Sequence, residues 1–173
     1  MINKLKIILI TTTLYIITSC GTKKQVAFFP TSEVTYQDYT GDILIVRVLG
    51  YGNSEITAIE DAQYRALETL FFRGIPNSNI SKPLIGYNEN ELKQQHNSYF
   101  KDFFGSKRFL TFISETTFVG GQNQKVIATK LDKKEGAKQE MIDALVVAVD
   151  IFINVKPLRK DLEQKKVIRK FGF

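Results

Sequence analysis

Cys20 and His96 are the only cysteine and the only histidine in 173 residues. With one of each, no His-His or His-Cys set can close around a metal within a single chain. A Ser-His-Asp arrangement would have to use His96, which sits among aromatic positions and has no nucleophile elbow to serve. His96 is therefore expected to be a partly buried structural residue. The carboxylates Glu60 and Asp61 are adjacent, so on a helix they point about 100° apart and cannot share one substrate atom. Asp61 is spaced to pair with Arg65 at i,i+4, and Glu68 follows Asp61 on the same side. Glycoside hydrolysis needs carboxylates opposed across a cleft, and this chain singles out no such pair. Gly50-Tyr51-Gly52 precedes a helix start in the outline of a phosphate-binding turn. It lacks the third glycine of a dinucleotide fingerprint and the Lys-Ser/Thr of a P-loop. No catalytic residue, metal or cofactor is expected, and the chain does not read as an enzyme.

The thiol of Cys20 has a different context. Lys4 and Lys6 form a basic start, and residues 7–17 are an apolar or hydroxylated run of signal-peptide length. That run is too short to cross a bilayer, which takes about 20 apolar residues. It ends in Ile17-Thr18-Ser19-Cys20, followed by the polar Gly21-Thr22-Lys23-Lys24. This segment resembles the lipobox of bacterial lipoproteins. The resemblance implies cleavage before Cys20, diacylation of its sulfur (palmitate or a similar chain) and a mature chain tethered in the cell envelope. Each buried acyl CH₂ contributes about 0.8 kcal/mol, so two chains hold where one would not. Residue 21 is glycine and not the aspartate that retains many such proteins at the inner membrane. By that resemblance the outer membrane is the expected address.

The chain carries 24 Lys and Arg against 18 Asp and Glu, a net charge of +6, and losing Lys4 and Lys6 would leave +4. Much of the excess is gathered in Arg159, Lys160, Lys165, Lys166, Arg169 and Lys170. For an exported chain such a cluster points to anionic headgroups or cell-wall polymers and not to nucleic acid. A solvated helix face, with Asp161 and Glu163 interspersed, is the plainer reading.

The elements that would position these groups follow from pattern. Residues 1–19 read as leader, 20–40 as a lipidated tether, and 41–173 as one domain of ordinary size. Within the tether, Val26-Ala27-Phe28-Phe29 is the one apolar interruption. Residues 43–48 are β-branched and predict a strand. Asn53 or Ser54 can cap a helix whose Ile59, Ala62, Ala66 and Leu70 recur at helical spacing, stopped by Gly74 and Pro76. A second, inserted helix is expected over 89–104, with Leu92, His96, Tyr99, Phe100, Phe103 and Phe104 on one face. Strands are expected over 108–119 and 124–131, joined by a Gly120-Gly121 hairpin turn, and over 144–155. Pro157 can open a C-terminal helix over 158–168, with Leu158, Leu162 and Val167 inward. The sum is an α+β fold: a small antiparallel sheet of about four strands against an alanine-spaced helix, one face covered, with an inserted and a C-terminal helix. If the aromatic stretch 99–112 were exposed, it would make a protein-docking surface.

Residues 43–48, Gly50-Tyr51-Gly52 and Ala58-Ile59-Glu60-Asp61-Ala62-Gln63-Tyr64-Arg65-Ala66 are similar to a segment of the LPP small-lipoprotein family. They are similar also to the N-terminal domain of flagellar-assembly protein T. The basic end, 158–173, resembles that of other Gram-negative lipoproteins. The resemblance implies a non-enzymatic envelope role: a membrane-anchored binding or assembly module for another envelope protein. Two alternatives stand beside it, a small-ligand binder or enzyme with an unrecognised cleft, and a binder of anionic cell-wall polymer through the basic helix.

Overall fold

Strand β3 (Ile43–Gly52) alternates strictly: Leu44, Val46 and Val48 are buried, while Ile45 and Arg47 between them are not. That alternation orients the whole molecule, because period-two burial fixes which sheet face meets the helices. The computed structural model describes residues 25–26, 34–119, 124–130 and 140–169. Its elements in chain order are β1 (Gln25–Val26), β2 (Val34–Thr40), β3, α1 (Glu55–Phe72), α2 (Glu89–Gln95), α3 (Asn97–Phe100), β4 (Ile113–Phe118), β5 (Gln124–Lys130), β6 (Glu140–Asn154) and α4 (Val155–Gln164). A π-helical turn (Lys101–Gly105) and a 3-10 turn (Arg108–Phe112) lie between α3 and β4.

The sheet runs β1-β5-β6-β3-β2, with β4 also on β6. Beside β4 it is four strands across, β4, β6, β3 and β2, all antiparallel. The α+β class expected from the sequence is the class observed. β3 and β6 form its centre, pairing from Ile43 with Asn154 to Gly52 with Leu145. Their inward residues, together with Val147, Val149, Ile151 and Ile153, pack against Ala58, Ala62, Ala66 and Leu70 of α1. On the other face the Arg47 guanidinium makes two hydrogen bonds to the Asp150 carboxylate, at 2.8 and 2.9 Å.

Helix α1 begins where its cap predicts. The Ser54 hydroxyl accepts from the Thr57 amide and the Thr57 hydroxyl accepts from the Ser54 amide, a reciprocal box. It ends at Gly74, whose φ of 77° suits only glycine without strain.

Four expectations are corrected. The tether does not extend to residue 40: Val34–Thr40 is an edge strand on β3, its alternation broken by a register shift between Tyr36 and Asp38. β4 and β5 do not pair as a hairpin, and the Gly120-Gly121 turn expected between them lies outside the described residues. Both run antiparallel to β6, opposite residues 149–153 and 140–146, and so point the same way. The strand expected from residue 108 starts at Ile113, because Arg108–Phe112 winds into a 3-10 turn that buries Phe109 and Phe112. The inserted helix over 89–104 is broken at His96 and widened at Lys101–Gly105.

The aromatic stretch is core. Tyr99, Phe100, Phe103, Phe109 and Phe112 are all buried, and the Phe103 ring lies 5.2 Å from Phe71 and 5.3 Å from Tyr99. Such contacts add about 0.5–1.5 kcal/mol per pair beyond area. They hold the insertion against α1, and they leave no docking surface made of these five rings.

Candidate functional site

The groups nominated for chemistry on α1 are already occupied. Asp61 accepts from the Tyr51 amide at 3.0 Å and from Arg65 Nε at 2.6 Å, so a carboxylate of the chain itself fills the glycine turn. Glu60 pairs with Lys107 Nζ at 2.7 Å. Glu68 accepts from Lys93 Nζ at 2.8 Å and from the Tyr64 hydroxyl at 3.0 Å. No group of three or more His, Cys, Asp and Glu side chains among the described residues could hold a metal. No helix among them is long and apolar enough to cross a membrane.

The Glu68–Lys93 pair sets a pH window. Burial alone would raise the Glu68 carboxyl, but hydrogen bonds from Lys93 and Tyr64 outweigh it and hold it below its ordinary 4.5. Burial would lower Lys93, but Glu68 and Glu89 outweigh it and hold the ammonium above its ordinary 10.5. The lowered carboxylate stabilises the fold above pH 4.5, and that share is lost as pH falls through its folded value. The raised ammonium stabilises below pH 10.5, with its share lost as pH climbs past that point. Urea midpoints should therefore fall at pH 3 relative to pH 7, and Lys93→Met should remove part of that acid dependence. An unchanged acid slope in Lys93→Met would deny the pair this role.

The C-terminal helix and the turn after it carry a dense run of basic residues. Leu158 and Leu162 are wholly buried and Val167 nearly so, which turns Arg159, Lys160 and Lys165 outward. The helix stops at Gln164, four residues short of the expected end, in a Schellman turn. The Val167 amide donates to the Leu162 carbonyl at 2.9 Å and the Lys166 amide to the Glu163 carbonyl at 3.1 Å. Lys166 thus occupies the left-handed position with φ 57°, where glycine is favoured. Lys166→Gly is expected to stabilise the protein by about 1 kcal/mol, read as a higher urea midpoint with an unchanged slope. A lower midpoint would mean that the lysine side chain contributes to folding.

Beside this turn lies a groove of about 730 Å³. Helix α2 supplies Leu92 and Gln95, and His96 follows at the break. The opposite wall is Glu163, Gln164, Lys166, Val167, Ile168 and Arg169. A second groove, about 530 Å³, runs along the other flank of α4, with Tyr39, Lys156, Arg159 and Lys160. No protein-family model, curated protein or solved structure matches this chain. The site is accordingly argued from its own residues.

Of the basic residues singled out in the sequence, Lys166 and Arg169 line the first groove, and Arg159 and Lys160 the second. Lys165 is exposed between them, while Lys170 and Cys20 lie outside the described residues. Ion pairs among the described residues engage Arg47, Arg65, Arg73, Lys93, Lys107, Arg108 and Lys156. Lys160, Lys165, Lys166 and Arg169 form none with a described residue. Two of these, Lys165 and Lys166, complement the helix C-terminal dipole. Sequence reasoning missed Lys156, Leu92, Gln95 and Gln164. Its available signal was α2 itself, a short polar helix with no fully buried residue.

Proposed function

We propose that this chain is a lipid-anchored, non-enzymatic binding module of the bacterial envelope, with the outer membrane as its address. The observation that carries the reading is the gathering of four cations, unpaired with any described residue, at one end of a body whose other charges are mostly neutralised. An uncompensated patch of one sign attracts a partner of the other. The anchor is argued from the basic start, the apolar run and Cys20 in the sequence. Intact mass and membrane fractionation of wild type beside Cys20→Ala test it. Wild type should be cleaved, acylated and pelleted with membranes, and the variant should lose all three properties. A soluble, unprocessed wild type would remove the envelope from the proposal.

The second groove favours one further reading, a cell-wall polyanion. Lys156, Arg159 and Lys160 line it with Tyr39, and these three cations outnumber its two carboxylates, Asp42 (paired with Lys156 at 3.3 Å) and Glu163, which suits phosphorylated or uronic sugars. Salt-sensitive sedimentation with purified cell wall, lost on Arg159→Glu/Lys160→Glu, is its expected signature. Sedimentation that the double variant leaves intact would exclude this flank.

A further inference from the structure

The two flanks of α4 differ in chemistry, and the groove between α2 and the Schellman turn is the more selective of them. Its floor is apolar, formed by Leu92, Val167 and Ile168, which are half-buried or buried. Its C-terminal side carries Lys166 and Arg169, both exposed and without an ion pair to a described residue, against a single carboxylate, Glu163. Gln95 on the facing wall offers an amide that can both donate and accept. A volume of about 730 Å³ falls in the range of roughly 300–1,000 Å³ that encloses a compact ligand.

We propose that this groove docks a short acidic segment of a partner protein, with its aliphatic side chains on the Leu92–Val167–Ile168 floor and its carboxylates on Lys166 and Arg169. This rests on the binding-module reading above and names the partner's chemistry. A lipid headgroup would use the cations and leave the aliphatic floor uncovered, and a sugar chain would cover that floor with fewer apolar atoms than aliphatic side chains do. A peptide supplies apolar side chains, carboxylates and backbone groups for the Gln95 amide at once. Lys166 adds an independent argument. It holds a left-handed backbone position where glycine is favoured, and docking gives a lysine there a use.

The test uses the full chain in detergent and a fluorescein-labelled hexapeptide of alternating Asp and Leu. Its control has Asn for Asp, and both are read by fluorescence anisotropy at low salt. Wild type should bind the acidic peptide and not the control. Lys166→Glu/Arg169→Glu should weaken binding at least tenfold, whereas Lys82→Glu, exposed and outside both grooves, should leave it unchanged. Lys166→Gly should bind more weakly while melting no earlier than wild type, which separates lost contact from lost fold. Equal binding of both peptides, or tight binding retained by the double charge reversal, would overturn the proposal. So would a groove-dependent preference for phosphatidylglycerol vesicles over the peptide. Each of these failures leaves the Cys20→Ala fractionation result untouched, so the anchored-module reading stands or falls separately.

Discussion

Gly50→Ala is expected to destabilise the protein by at least about 3 kcal/mol, a large share of the roughly 5–15 kcal/mol that holds an ordinary domain folded. Gly50 lies within β3 directly beneath α1. A methyl group there would sit 2.7 Å from the Ala62 Cβ and 2.9 Å from the Ala62 amide nitrogen, and closer still to the Ala58 carbonyl oxygen. Two of those three neighbours are backbone, so no rotamer change relieves the overlap, and the helix must lift from the sheet. Lifting it opens the layer that holds Ala58, Ala62 and Ala66 at zero exposure. Gly105→Ala is the matched control, because an added methyl meets nothing within 4 Å. Its effect should stay within about 0.5 kcal/mol. Urea unfolding followed by far-ultraviolet circular dichroism measures both. Equal midpoints for the two variants would contradict the close approach of α1 to β3.

Arg108→Ala should cost about 2–3 kcal/mol. The guanidinium stacks on Tyr99, Phe103 and Phe112, with its central carbon 5.3, 5.2 and 6.0 Å from the three ring centres. Nε reaches Asp102 at 2.6 Å and Nη1 reaches Asp161 of α4 at 2.9 Å. The Tyr99 hydroxyl also donates to Asp161, at 2.9 Å. Burial and that carboxylate together push the phenol far above its usual range. Removing the arginine leaves the Asp161 charge held by one neutral donor in a mostly enclosed site, and breaking such a pair costs about 3–5 kcal/mol when burial is complete. The side chain is one-quarter exposed, so solvent screens part of that loss. Arg108→Met/Asp161→Leu, which removes both charges, should recover much of the stability. If the double variant is as unstable as the sum of the two single ones, the pair is not coupled.

The sequence announced α1 through independent signals that agree: the Ser54 cap, alanines at helical spacing and Gly74 at its end. Such agreement between local chemistry and tertiary packing makes an element readable. β2 was hidden because the irregularity at Tyr36/Asp38 breaks its alternation in the middle. Residues 108–112 read as strand from their aromatics, but Arg108 must reach carboxylates on two elements, and that geometry winds the backbone into a 3-10 turn. The β4–β5 hairpin expected from Gly120-Gly121 gives way to two strands set along one edge of β6. β6 has 15 residues, and neither β4 with six nor β5 with seven can cover it alone. Of the candidate site, the charged wall was legible in a run of basic residues. The facing wall was not, because Leu92 and Gln95 are brought to it only by the aromatic packing of the insertion.

The central Arg47–Asp150 contact joins residues 103 positions apart in the chain. The two strands that make up the middle of the sheet are therefore the first and last long strands to be synthesised. Nearly all of the polypeptide must exist before they can meet. Pairings so distant fold on the millisecond-to-second scale, slowly for a chain of this size. Until then the apolar face of β3 and the alanine face of α1 have no β6 to pack with. Closure of the core is thereby deferred to the last strand of the sheet to be made.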